Sequence, residues 1–339
     1  MVSISDVAQR AGVSSTTVSH SISGNRFVSP QIKFRVQEAM LALGYVPSRS
    51  ARNLALGKTS IVGLLVPDVA NGFFADLAKA VEHTAIEAGY NVILGNTGFD
   101  RGRELLYFEM IRSRAADGII YAAGADTTIS DISQTVGDLP LVMVDEDLPD
   151  ATAPTVVSDN YDGGRQAAAH LLELGHRDAL VLAAAPGLLS SSRRVAGFVE
   201  TWRKGSGRQP VVSFGSFTHD AGVRAIRVHR ELLLGGRVSA IFAVNDLAAL
   251  GAVTELRSLG LAIPNDVSVV GFDDSVVTRY CDPALTTVRQ DVWGLGARAA
   301  SVLIEALSEG EQIKPGRQVL GVELVVRDST AAPSNRARP

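Results

Sequence analysis

Gly57-Lys58-Thr59-Ser60 has the ending of a phosphate-binding loop, in which backbone N–H groups cradle a nucleotide and a lysine reaches its outer phosphates. That loop needs a glycine at position 52, where Arg52 stands, and it needs a strand before it and a helix after it. Neither condition is met, so ATP binding is not expected. No G-x-G-x-x-G follows a strand-like run, and no G-x-S-x-G nucleophile elbow occurs. His20, His83, His170, His176, His219 and His229 show no zinc-ligand spacing with the single Cys281. A lone cysteine also excludes an internal disulfide and fits a reducing, cytoplasmic setting. Nothing in these patterns argues for catalysis, a metal or a cofactor.

Charge is more informative. Residues 1–60 hold seven basic side chains (Arg10, Arg26, Lys33, Arg35, Arg49, Arg52, Lys58) against Asp6 and Glu38, a balance of +5 within a chain of net −4. A small basic head on an acidic body suits a polyanionic partner, although a solvated surface explains the charges equally well. No run approaches the roughly 18–20 apolar residues of a membrane span, and the first ten residues, MVSISDVAQR, lack the basic start and apolar stretch of a secretory leader.

The elements that would carry these charges read as follows. Ser3-Ile4-Ser5-Asp6 has capping-box spacing and opens a helix through Ala11. Gly12-Val13-Ser14 makes a tight turn into a short polar helix, 15–23, with Val18 and Ile22 inward. Ser29-Pro30 starts a third helix whose apolar face is Ile32, Val36, Met40 and Leu43, and Gly44 stops it. Tyr45-Val46-Pro47 breaks the pattern, and the stretch to Gly57 is too short to be a stable helix alone. From Ser60 onward, apolar runs at 61–66, 91–94, 118–121, 141–144, 179–183, 240–244 and 267–272 alternate with helical stretches near 73–89, 101–114, 160–174, 192–204, 219–234, 246–259 and 291–308. The runs lack period-2 alternation, as parallel strands covered on both faces should. The polar, Pro-containing end from Ser329 is expected to be disordered.

Several motifs, in order, make the chain similar to the lactose-repressor (LacI) family over nearly its whole length. They are Asp6-Val7-Ala8 through Ala11-Gly12-Val13-Ser14 and Thr17-Val18-Ser19; Leu43-Gly44-Tyr45-Val46-Pro47; Ser50-Ala51-Arg52-Asn53-Leu54; and Gly63-Leu64-Leu65-Val66-Pro67-Asp68. Arg194-Val195-Ala196-Gly197-Phe198, Asn245-Asp246, Val270-Gly271-Phe272-Asp273-Asp274 and Leu285-Thr286-Thr287 follow. The resemblance implies an N-terminal all-α helix-turn-helix head with a hinge helix, then two α/β doubly wound lobes of the periplasmic-binding-protein-like type I. It places the head at 1–46, the hinge at 47–58, one lobe at 59–159 plus 290–318, the other at 160–289 plus 319–330, and a disordered tail at 331–339.

The same resemblance implies a cytoplasmic, homodimeric repressor on pseudo-palindromic double-stranded operator DNA, without a membrane anchor or enzymatic activity. Its recognition helix would present Ser15, Thr16, Thr17, Ser19 and His20 to the major groove, Thr16 also meeting a thymine methyl. Ser3, Ser5, Ser14, Ser23 and Ser29 complete the expected contacts in the head. His20 stands where the family usually has arginine, which leaves base preference there open. In the hinge, Ser48 and Ala51 would allow close approach to the minor groove and Leu54 would wedge into a base step; packing of Leu54 on the body is the rival role. The cleft would be lined by Asp68, Phe73, Phe74, Asp145, Arg194, Phe217, Asn245, Asp273 and Gln290, a set suited to a polyol. Phe73 and Phe74 have rival roles in the core or at a dimer contact, Asn245 and Asp273 as helix caps, and Arg194 as a structural ion pair. A sugar or sugar derivative acting as inducer is expected; the short Ser190–Arg193 stretch disfavours a purine. A corepressor-activated or nucleoside-responsive regulator, and more remotely a sugar-transport receptor or an enzyme on the same scaffold, stay open.

Overall fold

The computed structural model describes residues 2–24, 26–45, 58–124, 127–148, 152–309 and 315–334. The chain divides into two units, Met1–Ser60 and Ile61–Pro339. The first contains α1 (Ile4–Ala11), α2 (Ser15–Ser23) and α3 (Pro30–Leu43). Each begins on a serine whose hydroxyl accepts a backbone N–H of the first turn: Ser3 from Asp6, Ser14 from Thr17, Ser29 from Ile32. Asp6 completes the capping box by accepting the Ser3 N–H at 2.8 Å. Val7, Ala8, Ala11, Val18, Val36 and Ala39 form the small core, with Ile22, Ile32, Met40 and Leu43 packed at its edge. Arg35 binds it from α3, its Nε donating to the Ala11 carbonyl at 3.0 Å and its Nη2 to the Gly12 carbonyl at 3.0 Å. These carbonyls are among those left open at the end of α1.

The second unit is built on two six-stranded sheets. One comprises β1 (Ile61–Val66), β2 (Asn91–Asn96), β3 (Gly118–Tyr121), β4 (Leu141–Val144), β5 (Thr155–Ser158) and β11 (Arg317–Leu320), in the order β11-β5-β4-β3-β1-β2 and parallel throughout. The other comprises β6 (Ala179–Ala184), β7 (Val211–Gly215), β8 (Ala240–Ala243), β9 (Ser268–Asp273), β10 (Thr286–Gln290) and β12 (Val322–Val325), in the order β12-β10-β9-β8-β6-β7. Only the β10–β12 pair is antiparallel. Helices cover the sheets: α4 (Gly72–Glu87), α5 (Arg101–Met110), α6 (Ile129–Val136) and α12 (Val292–Glu309) in the first lobe; α7 (Asn160–Glu173), α8 (Leu189–Ser206), α9 (His219–Val228), α10 (Arg230–Leu234) and α11 (Asp246–Ser258) in the second. Apolar cores lie beneath them, around Leu64, Val81, Val144 and Leu303 in one lobe and around Leu182, Phe198, Trp202 and Phe242 in the other. Among the described residues no helix is long and apolar enough to cross a membrane.

The chain passes between sheets three times: from β5 to α7, from β10 to α12, and from β11 to β12. Sequence periodicity did not single out α6, β5, β7, β10, β11 or β12. The expectation of disorder from Ser329 needs correction over 329–334. The Ser329 hydroxyl is buried, donating to the Val269 carbonyl at 2.6 Å and accepting the Thr286 N–H at 2.8 Å. The Ala331 carbonyl meets His176 Nε2 at 2.9 Å and its N–H donates to Ser268 Oγ at 3.0 Å. A polar segment is held because its hydroxyl and backbone groups satisfy buried strand edges. Residues 335–339 lie outside the described residues, as do Ser48, Ala51 and Leu54 of the expected hinge.

One helix crossing decides where the site can form. A Cβ on Gly164 of α7 would fall 1.9 Å from the Arg194 carbonyl oxygen of α8, and one on Gly197 of α8 would fall 2.0 Å from the Tyr161 carbonyl oxygen. The two backbones therefore touch, which brings Arg194 within reach of α7. Gly164→Ala is expected to destabilise the body by about 3 kcal/mol, because the obstructing atoms are backbone and cannot swing aside. Urea unfolding followed by tryptophan fluorescence measures this, and a change under about 0.5 kcal/mol would remove the close-approach argument.

Candidate functional site

Both sheets place their strand-order reversal, where β1 lies between β2 and β3 and β6 between β7 and β8, with the carboxyl ends of the strands bordering one cavity. Such reversals open a crevice that a ligand can fill. The lining follows from this. Pro67 and Asn71 come after β1, Ala123 and Gly124 after β3, and Asp145 and Glu146 after β4. From the second lobe, Leu188, Ser190 and Arg194 come after β6 and Phe217 after β7. Asn245 follows β8, Asp273 ends β9 and Gln290 ends β10. Phe73, Phe74 and Phe99 complete the wall. As it stands the wall encloses little room, about 40 Å³ for the centres of water molecules.

Arg194 is the hub. Its Nε donates to Asn160 Oδ1 at 2.7 Å and its Nη1 to the Val244 carbonyl at 2.7 Å. The guanidinium carbon stands 3.8 Å from the centre of the Phe272 ring, and Nη1 lies 3.7 Å from Asp273 Oδ1. That same oxygen accepts a hydrogen bond from Gln290 Nε2 at 2.7 Å, while Gln290 Oε1 is buried without a partner. Burial pushes the Asp273 carboxyl up to about 7, with nearby Asp246 adding to the shift and Arg194 opposing it. Asp145 is likewise pushed up to about 7 by burial, against the pull of Arg194. Glu146 is raised by burial and restrained by Ser190, whose N–H and hydroxyl donate to it at 2.9 and 2.5 Å. Because α8 has no side-chain cap of its own, Glu146 caps it from the opposite lobe. Beside it, Asp147 accepts from Arg317 at 2.9 Å and from Arg193 at 3.4 Å.

Beneath this layer, Asp246 accepts from Thr287 Oγ1 at 2.6 Å, the Ser275 N–H at 2.7 Å and Ser275 Oγ at 2.9 Å; burial pushes it up to about 7. The backbone is strained where it lines the cavity: Phe99, Asp145 and Asp273 have φ of 58°, 67° and 118°. Non-glycine residues adopt such values when the surrounding structure enforces them, often at ligand sites.

Eight of the nine expected cleft residues meet here: Phe73, Phe74, Asp145, Arg194, Phe217, Asn245, Asp273 and Gln290. Asp68 is not among the lining residues; its Oδ1 accepts the Ala70 N–H at 3.0 Å, turning the carboxylate into the bend after β1. Several rival roles hold alongside the cavity position. Asn245 caps α11 by accepting the Ala248 N–H at 3.0 Å, and its Nδ2 donates to the Phe217 carbonyl at 2.9 Å. Phe73 and Phe74 pack edge to face at 5.1 Å within the core. Asn71, Phe99, Glu146, Leu188 and Ser190 were not expected. Asn71 had a local signal, since its Oδ1 caps α4 by accepting the Phe73 N–H at 3.1 Å.

In the head, Thr16 and Ser19 of α2 are exposed, Ser15, Thr17 and His20 partly so, and Ser5 is exposed on α1. Ser3, Ser14 and Ser29 cap the three helices, and Ser14 Oγ also meets Thr17 Oγ1 at 2.8 Å. A capping hydroxyl uses a lone pair and has one proton to donate, which Ser3 spends on Asp6 Oδ2 at 2.9 Å. Ser23 ends α2.

Residues 3–48 match the family model described as bacterial regulatory proteins, lacI family, and residues 168–330 match the periplasmic binding protein-like domain. The chain is 33% identical over 315 residues, 91% of each chain, to the HTH-type transcriptional repressor PurR of Pectobacterium atrosepticum. Among solved structures it resembles the transcriptional regulator CelR in complex with cellobiose, at 30% identity and a TM-score of 0.73 over 97% of this chain and 100% of the other. It also resembles the lac repressor dimer bound to operator and the anti-inducer ONPF, at 26% identity and a TM-score of 0.85 over 98% and 99%. The chain belongs to the lacI family of bacterial regulatory proteins, as a DNA-binding transcriptional repressor with an effector-binding domain.

Proposed function

We propose that the chain acts as a homodimer on a pseudo-palindromic operator and that a carbohydrate in the cavity acts as inducer. The observation that carries the effector class is the wall itself: carboxylates and amides from both lobes converge with phenylalanine faces around Arg194. Vicinal hydroxyls donate to carboxylates and accept from a guanidinium, while aromatic faces cover ring C–H groups. The cellobiose bound to CelR supports this class. A ligand bound between the lobes can change operator affinity only by favouring one lobe arrangement over the other. The segment 47–58 would carry that preference to the head, as a helix whose Leu54 wedges into the minor groove beside Ser48 and Ala51. In the head, α2 enters the major groove through Ser15, Thr16, Thr17, Ser19 and His20, with Ser3, Ser5, Ser14, Ser23 and Ser29 positioning it on phosphates. The protein works in the cytoplasm on this reading.

Leu54→Ala is expected to weaken operator binding at least about tenfold, while light scattering still reads a dimer. Unchanged affinity in a mobility-shift titration would remove the wedge. Arg194→Ala is expected to abolish release from operator by any inducing sugar. It also leaves Asp273 buried without its cation, so a stability loss of about 3 kcal/mol accompanies it. A normal sugar response would show that the ligand does not use this guanidinium.

The pH dependence has a fixed sign. Asp145 and Asp273, at about 7, keep protons that the unfolded chain releases near pH 4. The contribution of these two carboxyls to ligand-free stability therefore falls as pH rises from about 4 to about 7, while His170, His176 and His229, whose proton affinity burial lowers, contribute in the opposite sense. A sugar whose hydroxyls donate to these groups needs them ionised, so affinity should rise about tenfold or more from pH 5.5 to 8 with proton release on binding. Calorimetry in two buffers of different ionisation enthalpy reads this directly; proton uptake would contradict the assignment.

A further inference from the structure

We propose, resting on the carbohydrate reading above, that the effector is an amino sugar whose protonated primary amine sits against Asp145 and Glu146. Of the charged side chains that line the cavity, three are carboxylates, Asp145, Glu146 and Asp273, and one is a cation, Arg194. Asp246 lies directly beneath, adding a fourth carboxyl to the same region. The guanidinium is already committed on two nitrogens, to Asn160 and to the Val244 carbonyl. One cation therefore faces a surplus of buried acid, and burying carboxylates without compensation is costly.

Hydrogen-bonding capacity is biased in the same direction. Gln290 is only 4% exposed, and its Oε1 is buried with no partner among the described residues. Among the described residues the Asp145 carboxylate accepts no hydrogen bond. Some donors in the wall are spent: one Asn245 Nδ2 hydrogen on the Phe217 carbonyl, one Gln290 Nε2 hydrogen on Asp273 and the Ser190 hydroxyl on Glu146. A ligand that brings donors meets the open oxygens of Asp145 and Gln290, and an ammonium group brings three donors and a positive charge. The faces of Phe73, Phe74, Phe99 and Phe217 favour a cation as well as ring C–H groups. Burial raises the proton affinity of Asp145 and Asp273, with the neighbouring acids adding to the shift and Arg194 opposing it.

The test uses calorimetry on the full chain near neutral pH with three matched pairs: D-glucosamine and D-glucose, D-galactosamine and D-galactose, D-mannosamine and D-mannose. In at least one pair the amine should bind at least about tenfold more tightly than its parent hexose, the difference expected when a charged hydrogen bond replaces a neutral one. N-acetylation of that amine, which removes its charge, should erase the gain. Asp145→Asn and Glu146→Gln should each bring the amine-to-hexose affinity ratio close to one, in variants whose circular dichroism and cooperative melting show a folded chain. If the hexose binds as tightly as the amine in every pair that binds, the amine assignment is overturned and the carbohydrate reading stands. If none of the six sugars binds, both are overturned. A ratio unaffected by both substitutions would also overturn the placement at Asp145 and Glu146.

Discussion

A guanidinium buried between two lobes is the constraint around which the body is arranged. Leaving such a group unpaired would cost several kcal/mol, so its partners must be present before any ligand arrives. Arg194 has them: the Asn160 amide oxygen, the Val244 carbonyl, the Phe272 ring face and, at 3.7 Å, Asp273. None of these comes from α8 itself. They come from the first turn of α7 and from the carboxyl ends of β8 and β9, which the sheet order sets side by side. The reach from α8 to α7 depends in turn on the paired glycines 164 and 197, which let the two backbones meet. A proposed binding group and a fold-defining contact are here one side chain.

What the sequence made legible follows the range over which each cause acts. Helix caps act within four residues, and Ser3, Ser14 and Ser29 are readable as caps from the sequence alone. Strands covered on both faces are continuous apolar runs, so β1, β3, β4 and β8 stood out; their residues are nearly all buried. The strands that escaped notice are short and chemically mixed. Arg317-Gln318-Val319-Leu320 of β11 and Val322-Glu323-Leu324-Val325 of β12 are sheet edges with no fully buried residue, and Thr286-Thr287-Val288-Arg289-Gln290 of β10 carries its hydroxyls and amide into hydrogen bonds. Propensity and hydrophobic pattern have little to read in such segments.

The site divides in the same way. Family motifs brought Arg194, Asn245, Asp273 and Gln290 into view, and the structure gathers them. Glu146 was invisible because its role exists only across the cleft, where it caps a helix of the other lobe. Asp68 stands outside the lining for the opposite reason: its Oδ1 is turned into a local bend, although Pro67 beside it and Asn71 beyond it reach the cavity. Ser329 misled because polar, proline-containing composition suggests disorder only until a buried strand edge offers partners.

Two of the three passages of the chain between lobes lie next to residues that line or orient the cavity, which on the proposed reading would tie occupancy to lobe geometry. Asn160, which orients Arg194, begins the helix immediately after the first passage, and the Asp159 N–H beside it donates to the Leu320 carbonyl at the third, 2.7 Å away. Gln290, which holds Asp273, is the last strand residue before the second passage. A ligand that engages Arg194 and Gln290 therefore pulls on groups fixed within one residue of the points about which the lobes would rotate. Glu146 and Asp147 add ties between the lobes on the far side of the cavity, one through the Ser190 amide and one through Arg193. The Ser190–Glu146 bond joins two lining residues, so an occupant competing for that carboxylate loosens one tie while it tightens the contacts beside the passages. A ligand can shift a two-state equilibrium only through such unequal contacts, and on the proposed reading these groups are where the inequality would arise.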